Sequence, residues 1–224
     1  MYIYDLPEFK IPKEFQDWLV WAWNWQQASD WSVVDLSGNW HNWTPNWWVV
    51  FSRKNNTHFM QFDGSDDHVS FPTWIVDLDN TFSIFSIFSS NDVTKYQGVV
   101  MFEWERDTWL RVDSSHITAQ FYNGGTDAYL YSPTIENNKI YTATYVRDKS
   151  KWMKLYVWTN LVDSNTATWN ASSNQRTNAI WWKDEWDNGN HFDWHIHLVL
   201  VYNKALSPTQ IQKMYEYFRQ WYHD

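Results

Sequence analysis

The residues whose chemistry stands out lie in three short segments. Glu103-Trp104-Glu105-Arg106-Asp107 sets two carboxylates two residues apart, so on a strand Glu103 and Glu105 share a face. A pair about 5–5.5 Å apart would act with retention on a glycosidic bond, and a wider pair with inversion. Mixed charges at a strand end also make an ordinary solvated turn with a local ion pair, and no catalytic residue is assigned here. Lys183-Asp184-Glu185-Trp186-Asp187-Asn188-Gly189-Asn190 is rich in oxygen donors of the kind calcium accepts. Counted from Asp184 against an EF-hand loop, the third position is Trp186 and the twelfth His195, so that template fails. A polar turn is the first reading; no cofactor is expected, apart from a calcium ion on a loop rim, here or at Asp66 and Asp67. His191, His195 and His197 invite a metal, with His195 and His197 on one strand face, but an alternate histidine pair falls short of a zinc site. No Gly-x-Ser-x-Gly elbow and no phosphate loop occur, which disfavours nucleophilic hydrolysis and nucleotide binding.

The remaining resource is aromatic, at 21% of the chain. Tyr122, Tyr129 and Tyr131 flank Asn123-Gly124-Gly125-Thr126-Asp127. Tyrosine rings stack on sugar C–H faces and anchor protein interfaces. The expected ligand-facing set is therefore Tyr122, Asn123, Asp127, Tyr129 and Tyr131, joined by Asp184 and Asp187. A net charge of -9 without a Lys/Arg run lacks the footprint of a nucleic-acid or anionic-membrane binder. Cysteine is absent, which removes disulfides and thiolate chemistry and leaves the compartment open. The first thirty residues lack a basic n-region, and the apolar run Trp18 to Trp25 is interrupted by Asn24, so neither a signal peptide nor a membrane span is expected. A protein working outside a cell from such a start would leave by another route, as a virus particle released by lysis does. Asn42, Asn55 and Asn170 lie in glycosylation-type triplets, which carry little weight without a secretory signal.

The elements that must position these residues are mostly strands. Met153, Leu155 and Val157 alternate with Lys154, Tyr156 and Trp158, and Ile117, Ala119 and Phe121 with Thr118, Gln120 and Tyr122. Such alternation predicts strands with one buried face. Thr81 to Phe88 and Leu198 to Tyr202 are apolar on both parities, as strands between two layers are. Turn clusters such as Asp63-Gly64-Ser65-Asp66-Asp67, Ser89-Ser90-Asn91-Asp92 and Glu136-Asn137-Asn138 separate them, and the spacing predicts a sandwich. One helix is well signalled. Ser207 caps it, Pro208 takes its first position, Gln210 completes a capping box and Leu206 staples onto Ile211, so a helix over 207–222 is expected, with Ile211, Tyr215 and Phe218 against the sandwich edge. A short helix near Lys13 to Trp18 is a weaker expectation. Residues 1–17 read as an N-terminal extension lying on a sheet edge or a partner, and residues 18–224 as one domain.

Four segments together resemble the laminin-G-like, concanavalin A-like jelly-roll family: Val34-Asp35-Leu36-Ser37-Gly38-Asn39, Phe62 to Val69, Thr81-Phe82-Ser83-Ile84, and Phe192-Asp193-Trp194-His195-Ile196-His197 running on to Ser207. The resemblance covers about Leu19 to Tyr215. It implies two antiparallel sheets of six or seven strands each, with a loop rim that many relatives use to bind glycans or proteins. The Glu-x-Asp-x-x-Glu pattern of hydrolases on this scaffold is missing. Where relatives carry glycines this chain has Trp40, Trp43, Trp181, Trp182 and Trp194, beside totals of 20 Trp and 6 Gly. Either the chain is a Trp-rich variant, or many Trp stand at former glycine positions through alteration or a UGA codon reassigned to glycine. The expected function is a non-enzymatic glycan- or protein-binding module on a virion or cell exterior. A structural subunit of a phage particle and, more remotely, a glycoside hydrolase are the alternatives.

Overall fold

The computed structural model describes residues 9–23, 33–39, 45–46, 50–54, 57–65, 67–71, 80–102, 108–122, 127–166, 178–180 and 192–222. In chain order the strands are β1 (Leu19–Trp23), β2 (Pro45–Asn46), β3 (Val50–Lys54), β4 (Thr57–Asp63), β5 (His68–Phe71), β6 (Phe82–Ser90), β7 (Gln97–Phe102) and β8 (Thr108–Asp113). They continue as β9 (His116–Tyr122), β10 (Asp127–Thr134), β11 (Tyr141–Asp148), β12 (Trp152–Val157), β13 (Asn160–Asn165), β14 (Asn178–Ile180) and β15 (Asp193–Tyr202). Helix α1 (Pro208–Phe218) follows. Short 3-10 turns cover Lys13–Phe15 and Arg219–Trp221.

Among the described residues the strands form two antiparallel sheets. The larger has the order β13-β12-β11-β6-β15-β4-β3, with β1 also paired to β15 to make eight strands; the smaller runs β10-β9-β8-β7-β14-β5-β2. The eighth strand exceeds the expected count because β15 is long enough to serve two neighbours on one side. Asp193 to Ile196 pair with β4, and Val199 to Tyr202 with β1, while β6 pairs along the other side.

Two cores result. Between the sheets pack Phe82, Ile84 and Phe88 of β6, Leu110, Val112, Ala119 and Phe121 of the smaller sheet, and Val199 and Val201 of β15. The opposite parity of the same strands, Phe85, Ile87, Leu198, Leu200 and Tyr202, is buried on the outer face of the larger sheet beneath α1. Both-parity apolar strands are therefore covered on both faces, as their sequence requires. The helix starts with the predicted capping box, Ser207 Oγ accepting from Gln210 N at 3.3 Å and Gln210 Oε1 accepting from Ser207 N at 3.0 Å. It lies on the sheet face and not its edge, and its buried residues are Ile211, Met214 and Phe218. Met214 takes the inward position expected of Tyr215; both sets keep a three-four spacing, and the helix turns its more apolar side chain inward.

Residues 9–17 join this second core. Ile11 and Phe15 are buried, Phe15 meets Tyr217 and Phe218, and Phe9 meets Phe218 and Trp221. The Tyr202 hydroxyl donates to Phe15 O at 3.0 Å, fixing the segment to the sheet. It sits on a face beneath α1, where the sequence suggested an edge or a partner. Ser83 ties the helix entry down, donating to Lys204 O at 2.7 Å and accepting from Leu206 N at 3.0 Å.

Two of the family-like segments are structural. Asp35 accepts from Ala22 N at 3.2 Å, Ser37 N at 2.9 Å and Ser37 Oγ at 2.8 Å, and Asn39 Nδ2 donates to Val20 O at 2.9 Å, so Asp-x-Ser-Gly-Asn clamps β1. Gly64 has φ +74°, and a Cβ there would come 3.1 Å from Asp193 Cβ, so the Asp63-Gly64-Ser65 turn needs glycine.

Candidate ligand-binding face

The smaller sheet buries one parity of β8, β9 and β10 and presents the other away from the inter-sheet core. Leu110, Val112, Ile117, Ala119, Phe121, Ala128 and Leu130 point inward, so alternation turns Trp109, Arg111, Asp113, His116, Thr118, Gln120, Tyr122, Asp127, Tyr129 and Tyr131 outward. Register aligns them in rows across the strands. Trp109, Gln120 and Tyr129 form one row, Arg111, Thr118 and Tyr131 the next, and Asp113 pairs with His116 beyond.

Arg111 organises this face. Its Nη1 donates to the Tyr96 hydroxyl at 2.6 Å and to Gln120 Oε1 at 3.1 Å, and its Nη2 donates to Asp113 Oδ2 at 3.0 Å. The guanidinium lies 4.3 Å from the Tyr96 ring centroid, 4.9 Å from that of Trp109 and 5.8 Å from that of Tyr129. A planar cation with a fixed fork can stack and hydrogen-bond at once. The Arg111 side chain is 7% exposed and that of Asp113 26%, so the pair is held in a partly desolvated setting. Gln120 passes the network on, its Nε2 donating to Asp127 Oδ1 at 2.6 Å. Arg111 Nε and Trp109 Nε1 are buried with no acceptor among the described residues, at a cost of roughly 1–3 kcal/mol each that the stacking and ion pair must offset. Sequence alternation alone describes these strands as buried on one face, but Thr118 and Gln120 are buried on the other face too. The aromatic and Arg111 side chains cover them.

On this platform the tyrosines stand outward. The Tyr129 and Tyr131 rings are stacked, 6.0 Å between centroids at 23°, and His116 meets Tyr131 edge-on at 6.4 Å. Tyr131 is 48% exposed, a high value for an apolar ring on a sheet. The Tyr131 backbone N–H donates to Asp163 Oδ2 at 2.9 Å, anchoring β10 to β13 of the other sheet. Burial, then the charge of Asp127, raises the Tyr129 phenol above its ordinary pKa. Burial likewise dominates at Tyr96, raising it further despite the opposing Arg111 charge. Both hydroxyls stay protonated at neutral pH and can donate. Beneath β9, the buried Arg147 guanidinium stacks 3.9 Å from the Phe121 ring and donates to Asn80 O at 2.8 Å.

Of the residues singled out in the sequence, Tyr122, Asp127, Tyr129 and Tyr131 are brought onto one face, with Tyr122 and Asp127 opposite each other in register. Asn123, Asp184 and Asp187 lie outside the described residues, as do Glu103, Glu105, Asp66 and His191. Asp67 is buried and accepts from Asp63 N at 3.0 Å. Among the described residues no three His, Asp or Glu side chains gather as a metal site. His195 and His197 do share a face, but His197 is buried against Phe59 and Tyr222, and burial, then the neighbouring His195, drives its pKa down to about 3. Arg111, Gln120 and Tyr96 were not singled out in the sequence. The signal available was Trp109-Leu110-Arg111-Val112-Asp113, a strand pattern with a cation between outward positions.

A model of the concanavalin A-like lectin/glucanases superfamily, Laminin_G_3, matches residues 63–212. A comparison with curated protein sequences returns no match. Among solved structures, the binding domain of Paraclostridial Mosquitocidal Protein 1 superposes with a TM-score of 0.73 at 15% identity, over 91% of this chain and 53% of that one. The binding domain of Botulinum neurotoxin DC in complex with rat synaptotagmin II gives 0.71 at 15% identity, over 90% and 52%. The Botulinum neurotoxin serotype D ligand binding domain in complex with N-acetylneuraminic acid gives 0.69 at 18% identity, over 90% and 51%. The chain thus spans about half the length of these structures, and at such identity the likeness is one of fold. With two antiparallel sheets, a clamped Asp-x-Ser-Gly-Asn turn and a family match over residues 63–212, the chain belongs to the laminin-G-like branch of the concanavalin A-like lectin/glucanases superfamily.

Proposed function

We propose that the chain is a glycan-binding module that works without turnover, and that its ligand lies on the outward face of β8, β9 and β10. The observation that carries this reading is the stacked pair Tyr129 and Tyr131, with Tyr131 half exposed, mounted on the Arg111 network beside Asp127. Such rings offer flat apolar area to sugar C–H groups, and a neighbouring carboxylate accepts hydrogen bonds from hydroxyls. Tyr122, opposite Asp127, extends the same surface.

The favoured ligand is an uncharged, hydroxyl-rich sugar. Arg111 is already engaged by Asp113, and the exposed carboxylate of Asp127 lies beside Tyr129. A sialic acid carboxylate would meet that charge on a chain of net -9. The solved relatives in complex with N-acetylneuraminic acid or synaptotagmin support a binding role for the scaffold in general. The proposed setting is a cell or virion exterior, where many copies are displayed together. A shallow stacking site gives modest affinity per copy, because ordering and desolvation offset much of the contact energy, and attachment then depends on valency.

The test is a glycan array probed with the isolated chain and with a multivalent display. Retention of the multivalent form on neutral glycans, at least tenfold above the single chain, is the expected result. Retention on sialylated glycans alone would contradict the ligand class, and no retention on any glycan would contradict glycan binding.

A further inference from the structure

The backbone carries a second message, independent of the binding face. The chain has 20 Trp and 6 Gly, whereas ordinary usage of about 7% would give some 16 glycines. Two tryptophans of the described residues, Trp18 and Trp158, occupy backbone that L side chains rarely adopt. Val157 pairs with Asn160 across a two-residue loop, and within that loop Trp158 has φ +55° while Thr159 is not in the positive region. That sign pattern is that of the primed hairpin turn with Gly at its first central position. Leu19 N donates to Gln16 O at 3.1 Å, closing a four-residue turn whose third residue, Trp18, has φ +64°. A positive φ there is the mark of a type II turn, which takes Gly at that place. Trp18 is also 64% exposed, so packing gives no reason for an indole. Among the described residues, the other non-glycine residues at positive φ are Ser114, Ser115 and Asn138, small polar types.

The interior of β1 points the same way. Trp21 and Trp23 lie on one face of the strand, both 0% exposed in the inter-sheet core, with ring centroids only 2.8 Å apart. Aromatic pairs normally keep about 4.5–7 Å between centroids. Two indoles are thus crowded on one face of β1, beside their register partners Val201 and Val199 on β15, and glycine at these positions would relieve the crowding.

We infer that positions 18, 21, 23 and 158 are glycine in the protein made by its own organism, through a UGA codon read there as glycine and rendered as tryptophan in this sequence. The turns and β1 are then unstrained. The test is peptide mass mapping of the protein isolated from its source, beside the codons of its gene. Peptides covering these positions should be lighter by the tryptophan-to-glycine difference, over UGA codons. Tryptophan in the peptides, or UGG codons, would overturn the inference. This readout does not depend on whether the tryptophan chain folds when made recombinantly. In recombinant chains that do fold, Trp158→Gly and the double change Trp21→Gly with Trp23→Gly should raise Tm, and a fall in Tm for both would count against it.

Discussion

Replacing Arg111 by Met keeps the length and apolar stem of the side chain and removes the guanidinium on which the outward face is built. Three partners are affected: the Asp113 carboxylate, the Gln120 amide oxygen and the Tyr96 hydroxyl. Breaking a fully buried ion pair costs about 3–5 kcal/mol, and because Asp113 is 26% exposed that figure falls to about 2 kcal/mol here. Gln120 is 1% exposed, and its oxygen loses a donor at about 1 kcal/mol. The Tyr96 hydroxyl can turn and donate elsewhere, so it adds little. The expected loss is about 3 kcal/mol, which at a urea slope of ~2 kcal/mol/M moves the unfolding midpoint down by more than ~1 M. Arg111→Lys keeps the charge without the fork and should recover less than half of that. The assay is equilibrium urea unfolding followed by far-UV circular dichroism and by tryptophan fluorescence. A loss below about 1 kcal/mol for Arg111→Met, or Lys behaving like Arg, would refute the idea that this network organises the face.

Two further outcomes follow from the second core. His197 is neutral when folded, with a pKa near 3 against an ordinary 6.5, so the unfolded chain binds the extra proton between those values. Its contribution to stability is complete above pH 6.5 and is lost as pH falls toward 3, at up to about 1.4 kcal/mol per pH unit; urea midpoints at pH 7, 6 and 5 should fall less steeply in His197→Phe than in the parent, and equal slopes would contradict this. Phe15→Ala removes a ring that is 7% exposed between the sheet and α1 and should cost about 3 kcal/mol, read as a lowered Tm; an unchanged Tm would mean that residues 9–17 add nothing to the fold.

Strand parity, turn spacing and the Ser207 capping box were legible in the sequence because each is a local rule. The both-parity apolar strands β6 and β15 likewise announced a layer on each side. What covers the second side was not legible. The helix and residues 9–17 meet over Phe85, Ile87 and Leu200 from far apart in the chain, and no local pattern encodes that encounter. Met214 in place of Tyr215 shows that a three-four spacing admits two neighbouring helix faces, which spacing by itself does not separate. The proposed binding face was half legible. Tyrosines flanking a Gly-Gly turn marked β9 and β10, whereas Arg111 belongs to β8 and joins them only through register. Its role also depends on Tyr96, which lies before β7, so a network assembled across three strands and a turn escaped a reading confined to short segments.

The central claim is that binding resides in the outward tyrosines and proceeds without turnover, and one side-by-side measurement reaches it. Multivalent displays of the parent chain, of Tyr131→Ala with Tyr122→Ala, and of Glu103→Gln are titrated against a neutral glycan retained by the parent, and released reducing sugar is assayed in the same wells. The account predicts that the tyrosine variant loses retention by at least tenfold, that Glu103→Gln binds as the parent does, and that no sugar is released by any of the three. Sugar release by the parent that vanishes in Glu103→Gln, with retention unchanged in the tyrosine variant, would contradict it.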